Sequence, residues 1–385
     1  MKTIALFALA LLVIPATVAA GPVRVKDDAG LRRALAAAKP GSVILIAPGT
    51  YSGGVSAKGL TGKKNRPIVI AGADPKKPPV FSGGNVGIHL SAAAWVELRD
   101  LVVEKAKHNG LNLDDGGTAD DPAHHVTLRR ITVRDVGPRG NRDGIKLSGL
   151  DDFLVADCVL ERWGSGGSGV DMVGCHDGEI VGCTFRNAGG PSGNGVQAKG
   201  GSRDVKVRHC RFERAGGRAV NIGGGTGLPY FRPRKPGYEA KDITVEDCVF
   251  VGSMAPVAFV GVDGGIVRHN VIYRPEKWVA RILQETTGED FIACRNGRFE
   301  RNIVVFRSDE VRTAVNVGPG TKPKTFTFAE NLWFCVDRPG ASRMSLPVPE
   351  KRGVYGKDPR FLAPEKGDFR LEAKSPAKGY GPRPR

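Results

Sequence analysis

Aromatic residues are scarce, at 7% of a 385-residue chain, and its 7 cysteines include no CxxC pair. The second absence removes the usual sequence basis for a zinc site. Beyond the first twenty residues no stretch stays apolar long enough to form a transmembrane helix. Glycine is abundant at 53 residues but keeps no three-residue period, which excludes a collagen-like chain. Acidic residues number 40 against 57 Lys and Arg, for a formal net charge of +17. Hydrophobic content of 41% with 25% charged residues is too apolar for a disordered polycation, so the chain can bury a sizeable core. The charge calls for an acidic partner: nucleic acid, an anionic surface or an acidic polysaccharide.

Residues 1–20 read as a secretory signal. Lys2 is the charged start, Ile4 to Ile14 the apolar run, and Val18-Ala19-Ala20 the small residues before a cut at Gly21. The mature chain is therefore expected to be secreted or periplasmic, with no membrane span, as a monomer. Export, and the lack of any recognisable nucleic-acid-binding module, turn the partner reading away from nucleic acid and toward an acidic polysaccharide.

Two internal repeats organise the rest. Cys158, Cys183, Cys210 and Cys248 recur in one context, and Asn270, Asn302 and Asn331 occupy the same slot later. A slot shared by Cys and Asn implies an inward ladder in stacked coils, where neighbours ~4.8 Å apart with parallel Cβ vectors are unsuited to disulfides. A second ladder reads small, apolar, polar, apolar: Gly144-Ile145-Lys146-Leu147, Gly169-Val170-Asp171-Met172, Gly195-Val196-Gln197-Ala198 and Ala219-Val220-Asn221-Ile222 are examples. Such alternation is that of short strands with one buried face, two or three per repeat, joined by Gly-rich corners; the whole is a parallel β-solenoid. One long step, from Cys210 to Cys248, places an insertion at about 223–240. Leu31, Ala34, Leu35 and Ala38, behind Asp27 and Asp28, predict a short helix capping the open N-terminal end. The domain reading is a leader at 1–20, a solenoid at 21–335 and a wrapping segment at 336–385.

Leu35 to Tyr51, Arg66-Pro67-Ile68-Val69-Ile70, Val80-Phe81-Ser82-Gly83, Asp358-Pro359-Arg360-Phe361 and Gly367-Asp368-Phe369-Arg370-Leu371 resemble the opening and closing segments of exported right-handed parallel β-helix proteins. The alginate lyase and chondroitinase B family is the notable example. The resemblance implies an all-β, single-stranded right-handed parallel β-helix and points to a polysaccharide lyase.

Chemistry is expected on the polar members of the second ladder. Lys146, Asp171, Gln197, Asn221 and Arg281 should form an outward column, with Lys199 two residues beyond Gln197 on the same face. The insertion adds Tyr230 and Arg232, and Trp278 and Glu285 flank Arg281. Aromatic and basic groups beside a polar column suit acidic sugars, since rings stack on Tyr or Trp and guanidinium forks pair with carboxylates. β-Elimination from a uronate needs a cation on the carboxylate, a base for the C5 proton and an acid for the leaving oxygen. Lys199, bracketed by Gly200 and Gly201 that would let a sugar approach, is the expected base, with Lys146 and Arg218 as cationic neighbours. Arg281 is the expected carboxylate partner; Tyr230, Arg218 or Arg281 could supply the acid. The family's lysine follows an acidic calcium-binding strand, but here that strand carries Gln197, and the family's Arg-His pair reads Gly223-Gly224. Calcium is thus a possibility implied only by resemblance, with no ligands assigned.

Two other readings stay open. Asn141-Arg142-Asp143-Gly144-Ile145, with Asp171 one repeat later, is similar to the Asn-x-Asp-Gly stretch of polygalacturonase-like hydrolases, though the paired aspartates and Gly-His-Gly of that family are missing. A non-catalytic glycan-binding β-helix would show the same polar column. His124-His125, with Asp120 and Asp121 nearby, reads as a solvated turn or a metal site.

Overall fold

The computed structural model describes residues 21–385; the expected leader lies outside them. One coil consists of Ser168–Val173, Glu179–Val181 and Thr184–Arg186. The next coil lays Asn194–Lys199, Lys206–Arg208 and Arg211–Glu213 beside them in parallel register. First members of successive coils form a ten-stranded parallel sheet running from Val55–Lys58 to Val315–Val317, termed here the groove sheet. Second and third members form a 23-stranded sheet, continuous because Ala94–Glu104 and Ala123–Arg134 run through both faces unbroken. The architecture is a right-handed parallel β-helix.

Alternation explains why these residues stack. In the groove sheet Ile145, Val170, Val196, Val220 and Val257 stand in register and are all buried, β-branched or aliphatic groups filling one pleat column. Phe185, Phe212 and Phe250 stack with centroids 4.8 Å apart and planes 6–7° from parallel, so the aromatic spacing equals the strand spacing.

The Cys and Asn slot is a corner. Each ladder residue from Cys158 to Asn331 follows a residue in the left-handed region: Asp157, Gly182, His209, Asp247, His269, Arg301 and Glu330 have φ of 51–66°. A non-glycine there costs roughly 1–2 kcal/mol. Hydrogen bonds offset it: Cys248 N–H donates to Asn270 Oδ1 at 2.9 Å, Asn270 N–H to Asn302 Oδ1 at 3.0 Å and Asn302 N–H to Asn331 Oδ1 at 2.9 Å. All seven cysteines are free and buried. Burial pushes the Cys175 thiol up to about 12 and Cys294 to about 11.

Both ends are closed. Helix Asp28–Ala36, capped by Asp27 Oδ1 accepting from Gly30 N–H at 2.7 Å, buries Leu31 and Leu35 against the first coil. At the far end Glu350 accepts from Asn331 N–H and Nδ2, Trp333 Nε1 and the Tyr355 hydroxyl, all within 3.0 Å. The last residues do more than cover that end. The hairpin Phe361–Ala363 with Asp368–Leu371 packs on the third strand face beside Val271, Ile303 and Leu332, and the tail runs back to pair Arg383 with Asp247 and Arg385 with Asp157. Among the described residues no helix is long and apolar enough to cross a membrane.

Candidate active-site groove

Register places Lys146, Asp171, Gln197, Asn221, Ala258, Arg281 and Asn316 in one column of the groove sheet. Ala258 interrupts it, so the column has a Lys146-to-Asn221 part and an Arg281 part. Contrary to the expectation of a solvated column, Asp171, Gln197 and Asn221 are buried. The reason is overhead cover from the insertion and from a second polar column, Asp143, Ser168, Asn194 and Arg218, of which the sequence reading named Asp143 and Arg218 singly but not the alignment. Its signal was one residue upstream of each repeat motif, immediately before the small residue. Asn109 Oδ1 accepts from Asp143 N–H at 2.9 Å, Asp143 Oδ1 from Ser168 N–H at 2.8 Å, and Asn194 Nδ2 donates to Ser168 Oγ and Gln197 Oε1.

A charged cluster sits at the centre. Lys146 Nζ donates to Asp171 Oδ2 and lies 3.9 Å from Asp143 Oδ2. Lys199 Nζ lies 3.6 Å from Asp171 Oδ1, too far for a hydrogen bond, and donates to Gln197 Oε1 at 3.4 Å. Asp171 Oδ1 has no hydrogen-bond partner among the described residues. Burial, then the charge of Asp171, pushes the Asp143 carboxyl up to about 7. For Lys146, burial favours the neutral amine, but the charges of Asp171 and Asp143 outweigh it and hold the ammonium above its ordinary range.

The insertion leaves the groove sheet at Gly223 and rejoins the coil at Ala240–Lys241. Gly224 passes over Gln197, where a Cβ would come within 2.4 Å of Nε2. Arg232 then turns down to Asp151, binding both carboxylate oxygens at 2.8 and 2.6 Å, and donates to the carbonyls of Gly174 and Ala119. Burial alone would raise Asp151, but hydrogen bonds from His176 and Arg232 hold it far below the usual carboxylate range. Buried Glu239 closes the loop, accepting from Gly200 N–H, Thr226 N–H, Thr226 Oγ1 and Thr286 Oγ1. Gly200 and Gly201, expected to admit a sugar, instead admit this loop: a Cβ on Gly201 would meet Arg232 O at 2.3 Å.

Two cavities of about 560 and 540 Å³ lie under and beside the loop. The first is lined by Lys146, Tyr230, Arg232 and Arg234, the second by Asn194, Gln197, Arg218, Asn221, Arg281 and Glu285; Asn141, Lys199 and Gly225 line both. Lys199 therefore stands where the two halves of one groove join. Tyr230 is 72% exposed at the rim. Arg218 sits at the start of its strand and Lys199 at the end of the neighbouring one, so the two cations flank the second cavity rather than touching. Glu285 accepts from Arg218 Nη2 at 2.5 Å. Trp278 lines neither cavity; its ring is flanked by Lys277 and Arg281, both cations 4.5 Å from its centroid.

Calcium does not fit the donors at this column. The carboxylate nearest Lys199, Asp171, is already taken by Lys146, and Gln197 offers a neutral amide. Among the described residues no group of three or more His, Cys, Asp or Glu is placed to hold a metal. His124 and His125 approach each other at 2.8 Å between their Nδ1 atoms, and His125 stacks on Trp95, in a strand of the other sheet.

Residues 86–272 match the family model described as right handed beta helix region. Among solved structures the chain is similar to an alginate lyase from Paenibacillus sp. str. FPU-7, at 17% identity and TM-score 0.51, covering 78% of this chain and 96% of that one. It is similar also to the pectate lyase Pel9A, at 15% identity and TM-score 0.56, covering 90% and 84%. The A-module of the Azotobacter vinelandii mannuronan C-5 epimerase AlgE4 aligns at 16% identity and TM-score 0.54, covering 87% and 94%. No curated protein matches by sequence. At these identities the likeness is one of fold.

Proposed function

We propose that the groove is the active site of an exported lyase that cleaves an acidic, uronate-containing polysaccharide by β-elimination. The observation that carries this reading is the position of Lys199, at the joint of the two cavities with cations on either side. Lys146 is fixed as an ammonium by its bond to Asp171, whereas Lys199 meets that carboxylate only at 3.6 Å and turns its amine to the groove. Lys199 thus takes the C5 proton. The electron pair of the C5–H bond forms the C4–C5 double bond, the C4–O4 bond breaks, and the departing oxygen takes a proton from Tyr230, which lines the adjacent cavity. Arg218 and Arg281 neutralise the uronate carboxylate, which is what makes the C5 proton acidic enough to remove. The solved structures titled as alginate and pectate lyases add that this fold carries such chemistry on acidic chains.

Hydrolysis is less well supported. It would require Asp143 and Asp171 to face the sugar with room for a water between them. Both are buried, with Lys146 between them, and neither lines either of the two groove cavities. Incubation with alginate, pectate, chondroitin, dermatan and heparin-type chains tests the proposal through the ultraviolet absorbance of the unsaturated product. New reducing ends without that absorbance would establish hydrolysis, and binding without new ends a non-catalytic role.

A further inference from the structure

Three features converge at the Arg281 end of the groove. Arg218 and Arg281 come close enough that burial, then the Arg218 charge, pulls the Arg281 guanidinium below its usual range. Asn221, 1% exposed and lining the same cavity, leaves Nδ2 with no hydrogen-bond partner among the described residues, while its Oδ1 accepts from Arg218 Nη1 at 3.3 Å. Two crowded cations and an orphaned amide donor form a site for an anion with two oxygens. The chain supplies one such anion itself: Glu285 Oε1, at 2.5 Å from Arg218 Nη2.

We infer that Glu285 is an internal stand-in for the substrate carboxylate, occupying Arg218 in the empty groove and yielding it to a uronate. The inference rests on the uronate reading of the groove and adds which subsite takes the carboxylate and what guards it. Glu285 is held ready for exchange. Its neighbours are anchored, Gln284 Oε1 accepting from Cys294 N–H at 2.7 Å and Thr286 Oγ1 donating to Glu239, whereas its own side chain is 37% exposed and hydrogen-bonds only Arg218 among the described residues. The charge of Glu285 offsets the repulsion between the Arg218 and Arg281 guanidiniums. A neutral sugar has no carboxylate to offer Arg218 and would leave the Glu285–Arg218 pair in place.

The test is equilibrium binding, by calorimetry, of trimers of mannuronate, guluronate and galacturonate, with maltotriose as the neutral control. Glu285→Gln is nearly isosteric and should preserve the thermal midpoint. It is expected to tighten binding of whichever uronate trimer the wild type binds by about three- to fivefold, the scale of a partly exposed ion pair, with no gain for maltotriose. Arg218→Gln should weaken the same trimer, and Arg218→Gln with Glu285→Gln should show no benefit from the second change. Unchanged or weaker uronate binding by Glu285→Gln overturns the inference, while wild-type binding and ultraviolet-detected cleavage would leave the lyase reading standing. Failure of both proteins to bind any uronate trimer overturns the inference and the uronate reading together.

Discussion

Arg232 holds Asp151 through both carboxylate oxygens, tying the tip of the insertion to a coil 81 residues earlier in the chain. The loop that roofs the groove is thereby fixed to the scaffold it covers. From sequence, an inserted loop contributes little to a stacked core, and its removal would leave the melting temperature nearly unchanged. The clamp reverses that expectation: deleting residues 226–238 leaves Asp151 and buried His176 without the Arg232 partner.

Arg232→Ala should therefore lower stability by about 1.5–3 kcal/mol, the scale of hydrogen bonds to charged groups, and weaken glycan binding as well. Denaturant unfolding monitored alongside calorimetric binding checks both. Because Asp151 is held below its unfolded value, the clamp contributes stability above the ordinary carboxylate pKa and loses it as pH falls through the folded one. Wild type and Arg232→Ala should converge in thermal midpoint in acid.

Lys199→Ala should cut turnover by ~10²- to 10⁴-fold with binding largely retained, as loss of a general base does. Lys199→Arg is the sharper measurement, since a guanidinium keeps the charge but does not deprotonate at working pH. Near-full activity in that variant would reduce Lys199 to an electrostatic contact.

Lys146 and Asp171 form a buried pair, so removing one partner strands the other. Lys146→Met should destabilise the fold by ~3–5 kcal/mol, while the double change Lys146→Met with Asp171→Leu should recover much of it. A double-mutant cycle by chemical denaturation measures the difference. Additive losses would contradict the pairing.

Asp143 gives the pH dependence its opposite sign. Its folded pKa of about 7 lies above the unfolded 3.8, so the folded protein retains a proton that the unfolded chain releases. That contribution is complete below about pH 4 and is lost as pH rises toward 7. Asp143→Asn removes the loss, so the thermal midpoint of the wild type relative to this variant should fall steadily between those values.

Asn302 is the central asparagine of the three that end the corner ladder, donating through Nδ2 to Asn331 Oδ1 and Val267 O and accepting from Asn270 N–H and Nδ2. Asn302→Ala leaves several buried polar groups unmet and should cost about 2–5 kcal/mol. Urea titration reads this directly.

The slot shared by Cys248 and Asn270 was legible because a period in sequence becomes a column in space, and the same logic aligns Lys146, Asp171, Gln197 and Asn221 from the repeat alone. Limits arose where the chain leaves the period. Glu285, named from sequence as flanking Arg281, lies on an excursion between Leu283 and Arg298, and its pairing with Arg218 was not legible because it is set by side-chain reach rather than spacing. Burial of Asp171 was invisible for a related reason: alternation tells which face a residue takes, and nothing in it reports a loop folding over that face. Gly200 and Gly201 carried a true signal of close approach, but the approaching group proved to be the Arg232 backbone.

Glu350 has a consequence beyond finishing the last coil. Each asparagine of the corner ladder accepts from the coil before it, so the final Asn331 presents donors that another asparagine could satisfy just as well. A solenoid with that end bare is a template for an incoming copy, and repeated addition would grow a filament. By taking the backbone and side-chain donors of Asn331 together with Trp333 Nε1 and the Tyr355 hydroxyl, one carboxylate makes the terminal coil unfit to recruit another. Its position marks where the stack of coils stops.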